Sequence, residues 1–228
     1  MPWEIFEPVA SGYEAWYSTR KGSRVDRAER ALLDWLLAHL PGVKQILEVG
    51  CGTGHFSRHL ASRSLRPVGL DRSPGMLAAL QRGEPRLLGV QGDAHCLPLR
   101  DQAVDAVVFV TTLEFLEDPT SALAEAVRVA RRGLILLVLN RWSLGGISRR
   151  IGPQSRQRLL GRARDHSLVS LGALLRKAAG DRLDALHWRC ILFPLLPWRL
   201  RLAVPVGDAI GVAVALTPPR VMAPGPPP

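Results

Sequence analysis

The segment from Ile46 to Ser57, ILEVGCGTGHFS, places three glycines at alternate positions after a short apolar run. Glycine lets the backbone approach a ligand closely and adopt positive φ, and a following helix offers free N–H groups. Gly50, Gly52 and Gly54 therefore predict a loop that holds an adenosine-bearing cofactor. Two chemistries stay open for such a loop: hydride transfer with a dinucleotide, or group transfer from a cofactor with a cationic end.

The spacing of the glycines separates these alternatives. A dinucleotide fingerprint is G-x-G-x-x-G, whose third glycine allows close helix–strand packing, and here the third glycine comes one position early. Glu48 also lies within the preceding strand, two residues before the first glycine, where a carboxylate would repel a pyrophosphate. A cofactor with a cationic end is therefore favoured over NAD.

The elements that must position this loop alternate along the chain. Short apolar runs predict strands at 45–49, 66–70, 87–91, 104–110 and 134–139. Apolar spacing of three and four residues predicts helices at 24–40, 54–62, 74–82 and 119–131. Continuous apolar strands separated by helices are typical of a parallel sheet covered on both faces.

The last third of the chain predicts one more helix and two strands. The helix is expected from Ser170, as N-cap, to Ala179, with Gly180 ending it. The strand-like runs at 182–191 and 207–216 have no helical pattern between them, so we expect them to pair antiparallel.

Four motifs in order resemble those of the class I S-adenosylmethionine-dependent methyltransferases, most closely the broad small-molecule group called type 11. They are LEVGCGTG (47–54), VGLDRSPGML (68–77), VQGDAHCLPLRDQAVDAVVFV (90–110) and TTLEFLEDPTSALAEAVRVARRGLILLV (111–138). The resemblance covers about 44–140 closely and the last third more loosely. It implies a doubly wound α/β fold with a mostly parallel seven-stranded sheet and an antiparallel last strand. It also implies methyl transfer from S-adenosylmethionine to an unidentified small-molecule acceptor.

The resemblance implies a set of cofactor-binding residues: Glu48, Gly50, Cys51, Gly52, Gly54, Asp71, Arg72, Met76, Asp93, Ala94 and Thr111. The backbone at 50–52 would lie against the methionine part, and Thr111 would line the sulfonium side. Asp71 would accept hydrogen bonds from the ribose hydroxyls, which suits an acceptor-only carboxylate. Asp93 would accept from the adenine amino group, with Met76 or Leu77 against the ring.

Several of these residues also have a purely structural interpretation. Cys51 is expected to be a small packed residue rather than a nucleophile, because no partner base follows it in a suitable motif. Asp93 could be a turn residue. Asp71 could cap the next helix, although Ser73 before Pro74 already suits that role.

No catalytic residue can be assigned from the sequence. A general base is needed only if the acceptor must lose a proton, and the weak candidates are Glu114, His95 and Tyr17, followed by Tyr13 and His166. Glu114 is more easily explained as a structural carboxylate. The other histidines, His39, His55, His59 and His187, are predicted to lie on the surface. The aromatic segment at 13–22 is expected either to cover the cofactor or to pack as a hydrophobic plug against the first helix.

The chain carries a net charge of +10, and the segment from Arg141 to Arg164 holds seven arginines and no acid. We predict one methyltransferase domain at 1–216, with an N-terminal helical cap at 1–43, a basic insertion over the active site at 141–166 and a disordered tail at 217–228. The insertion could attract an anionic acceptor, an acidic lipid surface or RNA, or be a solvated face that reflects codon bias. No stacking aromatic module supports nucleic acid binding.

Three scattered cysteines and no metal-ligand spacing favour a reducing, cytoplasmic protein without a metal. The N-terminus resembles no secretory signal, and the apolar runs are too short to span a bilayer. The oligomeric state is not predicted. The rival hypotheses are a non-catalytic scaffold that keeps the cofactor, a methyltransferase that acts on RNA, and an NAD-dependent oxidoreductase.

Overall fold

A computed structural model describes residues 2–10, 12–143, 163–191 and 207–218. Its strands are β1 (Gln45–Val49), β2 (Arg66–Asp71), β3 (Leu88–Gln91), β4 (Val104–Val110), β5 (Ala130–Leu139), β6 (Leu183–Ile191) and β7 (Ala209–Leu216). Its α-helices are α1 (Arg20–Leu37), α2 (His55–Ser62), α3 (Pro74–Gly83), α4 (Pro119–Val129) and α5 (Leu168–Ala179). Short 3-10 helices occupy Pro2–Val9, Tyr13–Trp16, Leu113–Phe115 and Gly180–Arg182.

The strands form one seven-stranded sheet in the order β3-β2-β1-β4-β5-β7-β6. The first five strands pair parallel, and β7 pairs antiparallel with both β5 and β6. The predicted doubly wound α/β fold with an antiparallel last strand is thereby confirmed.

Helices pack against both faces of the sheet. Successive side chains of a strand point to opposite faces, so one strand contributes to both clusters. In β4, Val107 and Phe109 belong to the cluster that includes residues of α4 and α5, whereas Ala106 and Val108 belong to the cluster with α1 and α2. A strand that is buried on both faces needs a continuous apolar run, which explains the unbroken pattern in the sequence.

Some element boundaries differ from their predictions. The helix predicted at 119–131 ends at Val129, and β5 begins at Ala130, whose φ of −86° and ψ of 135° are extended. Arg131 then lies in the strand, where its guanidinium donates to the backbone oxygens of Gln102 and Ala103. The last helix begins at Leu168, capped by Ser167 and not by Ser170, because the two serines form a reciprocal capping box.

The first helix also starts earlier than predicted. α1 begins at Arg20, where the Thr19 hydroxyl accepts a hydrogen bond from the backbone N–H of Gly22. It ends at Leu37, three residues before the predicted end at 40. Thr19 is a favourable N-cap that the apolar pattern does not reveal.

The order of the strands reverses between β1 and β4, which run side by side but connect outward in opposite directions. In open α/β sheets, ligands bind beyond the carboxyl ends of the strands at such a reversal. Most of the predicted basic insertion and of the predicted tail lies outside the described residues. In the part of the chain that is described, no helix combines the length and the apolar character needed to cross a membrane.

Candidate active site

A cavity of about 840 Å³ opens at the carboxyl ends of β1, β2 and β4. Its floor is the glycine loop after β1, and its walls come from the loops after β2, β3 and β4. The N-terminal aromatic segment and one face of α1 complete the enclosure. The cavity therefore lies where the reversal of strand order predicts a ligand site.

The glycine loop has the backbone geometry expected for close contact with a ligand. Gly50, Gly52 and Gly54 all have positive φ, at 72°, 53° and 79°. A Cβ on Gly50 would lie 2.3 Å from Cγ2 of Thr112, so this position is closed to any side chain. A Cβ on Gly52 would meet nothing nearer than Sδ of Met76 at 3.9 Å, so the backbone at Gly52 faces open space.

Asp71, at the end of β2, ties the glycine loop to the start of α3. Its Oδ2 accepts a hydrogen bond from the backbone N–H of Gly52 at 2.8 Å, and its Oδ1 accepts from Ser73 at 2.9 Å. Burial raises the pKa of the Asp71 carboxyl, although these backbone donors oppose the rise. Each carboxylate oxygen keeps a second lone pair, which can accept a ligand hydroxyl.

Asp93 follows β3, the strand next to β2, and lines the same cavity as Asp71. Its Oδ2 lies 3.3 Å from the Arg72 guanidinium, and its Oδ1 lies 2.6 Å from Nδ1 of His95. Burial would raise the pKa of Asp93, but the hydrogen bonds from His95 outweigh it and hold that pKa below its usual value. Nε2 of His95 accepts from the backbone N–H of Asp118 at 3.3 Å, so both ring nitrogens are engaged.

Glu48 is a buried carboxyl beneath the loop, with 2% of its surface exposed. Burial raises its pKa to about 8, the nearby Asp71 adds to the rise, and a hydrogen bond donated by the Ser57 hydroxyl opposes it. At neutral pH this side chain is therefore mostly uncharged.

Ten of the eleven predicted cofactor residues line the cavity: Glu48, Gly50, Cys51, Gly52, Asp71, Arg72, Met76, Asp93, Ala94 and Thr111. Gly54 lies behind it as the N-cap of α2. Thr111 has a φ of 48°, which is uncommon for a β-branched residue and concentrates backbone strain at the cavity wall. Cys51 packs over Gly69, and burial raises the pKa of its thiol well above the usual value, as suits a packed residue.

The catalytic candidates fall into two groups. Tyr17 and His95 line the cavity, whereas Glu114 and His166 are buried outside its described wall. Oε1 of Glu114 accepts a hydrogen bond from the backbone N–H of Leu139, which ties the loop after β4 to the end of β5. This hydrogen bond favours the structural interpretation of Glu114. Burial raises the pKa of Tyr17 far above its usual value, which favours its hydroxyl as a hydrogen-bond donor.

The prediction that His55 and His59 lie on the surface is wrong, since both are buried. Nε2 of His55 lies 2.6 Å from Oδ1 of Asp26, and Nε2 of His59 lies 2.8 Å from Oδ1 of Asp34. Both histidines thus join α2 to α1. His55 also lines the cavity and stacks on the ring of Tyr17 at 3.5 Å.

The N-terminal segment forms part of the cavity wall through Tyr13, Trp16 and Tyr17. Glu14 fixes it in place, because its carboxylate accepts hydrogen bonds from the Thr53 hydroxyl and the Arg58 guanidinium, each at 2.5 Å. Burial would raise the pKa of Glu14, but its partners, with the imidazole of His55 first among them, lower it to about 2.

The sequence did not predict Glu29 as a cavity residue. Lys21, Val25 and Glu29 follow one another at four-residue spacing on α1 and line the cavity. Glu29 is 8% exposed, and burial raises the pKa of its carboxyl to about 8, with further contributions from Asp26 and Glu114. The sequence did contain a signal for this residue, because Glu29 falls among the apolar positions of the first predicted helix.

Comparisons with known proteins agree with this geometry. The methyltransferase-domain family matches residues 47–138. The Renibacterium salmoninarum demethylmenaquinone methyltransferase is 35% identical over 134 residues, which are 59% of this chain and 56% of that protein. The Serratia marcescens malonyl-[acyl-carrier protein] O-methyltransferase is 36% identical over 132 residues, 58% of this chain and 49% of that one. The chain thus spans about half the length of the curated relatives it matches.

A solved structure from Thermotoga maritima, described as an S-adenosylmethionine-dependent methyltransferase and possible histamine N-methyltransferase, superposes with a TM-score of 0.75. The two sequences are 26% identical, and the match covers 94% of this chain and 99% of that one. In its central motifs and in its fold, this chain is similar to S-adenosylmethionine-dependent methyltransferases.

The methyl donor of class I methyltransferases is S-adenosylmethionine, and the residues at the cavity fit it. The glycine loop leaves open space above Gly52, where a Cβ would meet no protein atom within van der Waals distance except the Met76 sulfur. Asp71 and Asp93 present acceptor oxygens from two neighbouring loops of the same cavity. In the described part of the chain, no cluster of His, Cys, Asp or Glu is placed to hold a metal ion.

Proposed function

We propose that this protein transfers a methyl group from S-adenosylmethionine to a small-molecule acceptor. The observation that carries the proposal is the convergence of the glycine loop, Asp71 and Asp93 on one cavity at the carboxyl ends of the parallel strands. In this proposal, residues 1–216 form one methyltransferase domain whose first 43 residues cover the cavity.

The chain's own residues would bind and orient the cofactor. The backbone around Gly52 would lie against its methionine part, Asp71 would accept from both ribose hydroxyls, and Asp93 would accept from the adenine amino group. When bound, the cofactor supplies a methyl group on a positively charged sulfur. The sulfur leaves as a neutral thioether, which is an excellent leaving group. The remaining work is to hold the acceptor about 3 Å from that methyl group and to exclude water.

The basic insertion at 141–166 is proposed to border the mouth of this cavity. Arg164, near its end, donates from its backbone to the carbonyl oxygen of Glu114 at 2.9 Å and from its guanidinium to that of Glu117 at 3.3 Å. Glu117 itself lines the cavity. The described end of the insertion therefore lies beside the loop after β4.

The test is a methyl-transfer assay with methyl-labelled S-adenosylmethionine, run on a small-molecule extract and on total RNA from the same cells. We expect label in small organic products with the wild type, and loss of most of it with Asp71→Ala. Glu84→Gln, a change at the end of α3 outside the cavity lining, is the matched control and should keep full activity. Label that is retained on RNA would replace the small-molecule proposal with the RNA alternative. Cofactor binding without any labelled product would support the scaffold alternative.

A further inference from the structure

The cavity is acidic although the chain as a whole is strongly basic. Among the described residues, its wall carries two cationic side chains, Lys21 and Arg72, in a chain of net charge +10. The same described wall carries six carboxyl side chains: Glu29, Glu48, Asp71, Asp93, Glu117 and Asp208. Even with Glu29 and Glu48 protonated, the other four outnumber the two cations. Such a lining does not favour the anionic acceptor that the basic insertion suggested.

Three of these carboxyls, Glu48, Asp71 and Asp93, belong to the proposed cofactor site, but Glu29 does not. It enters the cavity from α1, on the side of the aromatic N-terminal segment. More than nine-tenths of its surface is buried, and the described residues give its carboxyl no hydrogen bond and no ion pair. Its oxygens are not among the fully buried side-chain atoms without a partner, so the carboxyl faces the cavity, where a ligand can reach it.

The groups that face Glu29 make a cation the ligand that fits. Asp26 on α1 and Glu114 after β4 are both acidic, and each raises the pKa of Glu29 beyond the effect of burial. The charge of Glu29 in turn adds to the rise that burial causes in the pKa values of Tyr13 and Tyr17. The cavity cation on the same helix, Lys21, lies two turns away, roughly 12 Å along the axis.

Aromatic rings in the wall of the same cavity add to the chemistry of a cation site. The rings of Tyr13 and Tyr17 lie 6.1 Å apart, and the ring of Trp16 lies 5.1 Å from that of Tyr17. All three side chains line the cavity. A cation over such rings, with a carboxylate at one side, gains both cation–π attraction and charge pairing.

We propose that Glu29 binds a protonated amine of the methyl acceptor between these aromatic rings and takes its proton. The inference rests on the proposed function and names the acceptor class as an amine. Breaking one N–H bond moves the proton to the Glu29 carboxylate and leaves a lone pair on nitrogen. That pair forms the bond to the methyl carbon while the carbon–sulfur bond breaks and its electrons stay on sulfur. The carboxylic acid then returns the proton to solvent.

The test measures ligand binding to the protein saturated with S-adenosylhomocysteine, so that no reaction takes place. The probes are phenethylamine, butylamine and 1,4-diaminobutane, each compared with its alcohol counterpart, and 3-phenylpropanoate as an anionic probe. We expect the wild type to bind at least one amine at least about tenfold more tightly than its alcohol. Glu29→Gln should abolish this preference, Glu29→Asp should retain part of it, and Glu84→Gln should leave it unchanged.

A second readout separates a cation-binding carboxylate from a merely structural one. Because the pKa of Glu29 is raised to about 8, it is mostly protonated at neutral pH, and binding of an ammonium group should release close to one proton. Calorimetry in two buffers of different ionisation enthalpy measures that proton. Glu29→Gln should release none.

The outcomes distinguish the two proposals. If the wild type does not bind S-adenosylhomocysteine, the proposed function itself fails. If it binds that product but no amine is preferred over its alcohol, or 3-phenylpropanoate binds best, the inference about Glu29 is overturned and the proposed function stands. Equal proton release by the wild type and Glu29→Gln would also overturn it.

Discussion

At the scale of single residues, the site contains two buried carboxyls, Glu29 and Glu48, whose ionisation differs from that of exposed ones. Burial raises the pKa of each to about 8. Water is a far better solvent than the protein interior for a carboxylate, so both side chains favour the protonated form in the folded state. Their ionisation is then coupled to ligand charge and to folding.

Glu29→Gln should flatten the pH dependence of stability. The folded-state pKa of Glu29, about 8, lies above the usual 4.5, so the folded protein binds the extra proton and loses stability as pH rises between these values. The titration of one such group lowers the free energy of unfolding by up to roughly 5 kcal/mol between pH 4.5 and pH 8. Urea unfolding at about pH 5 and about pH 8.5 measures the loss, which should be smaller in Glu29→Gln than in the wild type. Identical losses would show that Glu29 titrates normally.

Gly50 and Gly52 should respond differently to the same substitution. Both have positive φ, which costs an alanine about 1–2 kcal/mol, but the Cβ of Gly50→Ala also meets Thr112 at 2.3 Å. Gly50→Ala should therefore destabilise the fold by roughly 3 kcal/mol or more, and Gly52→Ala by less. Gly52→Ala should instead weaken cofactor binding, because its Cβ occupies space that the cofactor needs. Denaturation and calorimetric titration of both variants check this, and equal destabilisation would contradict it.

At the scale of elements, the carboxylate of Glu14 helps to hold the N-terminal segment over the cavity. Glu14 accepts from Thr53 in the glycine loop and from Arg58 in α2, so a single side chain joins the segment to the loop beneath it. Because its pKa is lowered to about 2, this anchor is fully present above the usual value of 4.5 and is lost as pH falls towards about 2.

Glu14→Gln should loosen this segment without unfolding the sheet. The neutral amide cannot accept charge-assisted hydrogen bonds, so we expect several-fold faster hydrogen exchange in the amides of residues 13–19 and weaker cofactor binding. Exchange in β4 and β5 should stay as slow as in the wild type. Unchanged exchange at 13–19 would mean that the aromatic contacts alone hold the segment.

The central strands could be predicted from the sequence because they are largely apolar runs that are buried on both faces. The start of β5 could not, because Ala130, Arg131 and Arg132 have no apolar pattern and become extended only through pairing with β4. His55 and His59 were missed for a related reason. Their partners lie on other elements, and only the packing of α1 against α2 brings those partners together.

At the scale of the whole molecule, charge is distributed unevenly. The chain has a net charge of +10, yet the described wall of its cavity is mostly acidic. A cavity of this sign concentrates cations, and low-dielectric walls strengthen that effect. The charge of the cavity therefore indicates the acceptor class more directly than the net charge of the chain does. The order of the motifs along the chain, by contrast, predicted the fold and the loop that forms the cavity floor.

The central claim is that the glycine loop is a methyl-donor site, and thermal unfolding tests it most directly. The wild type and Asp71→Ala are each heated with S-adenosylmethionine, with S-adenosylhomocysteine and with NAD. A ligand at about 100 times its dissociation constant adds roughly 2.7 kcal/mol, which raises the Tm of a chain of this size by roughly 5–10 °C. We expect both sulfur ligands to raise the Tm of the wild type, NAD to leave it unchanged, and Asp71→Ala to lose most of the rise. A rise with NAD alone, or no rise with any ligand, would contradict the claim.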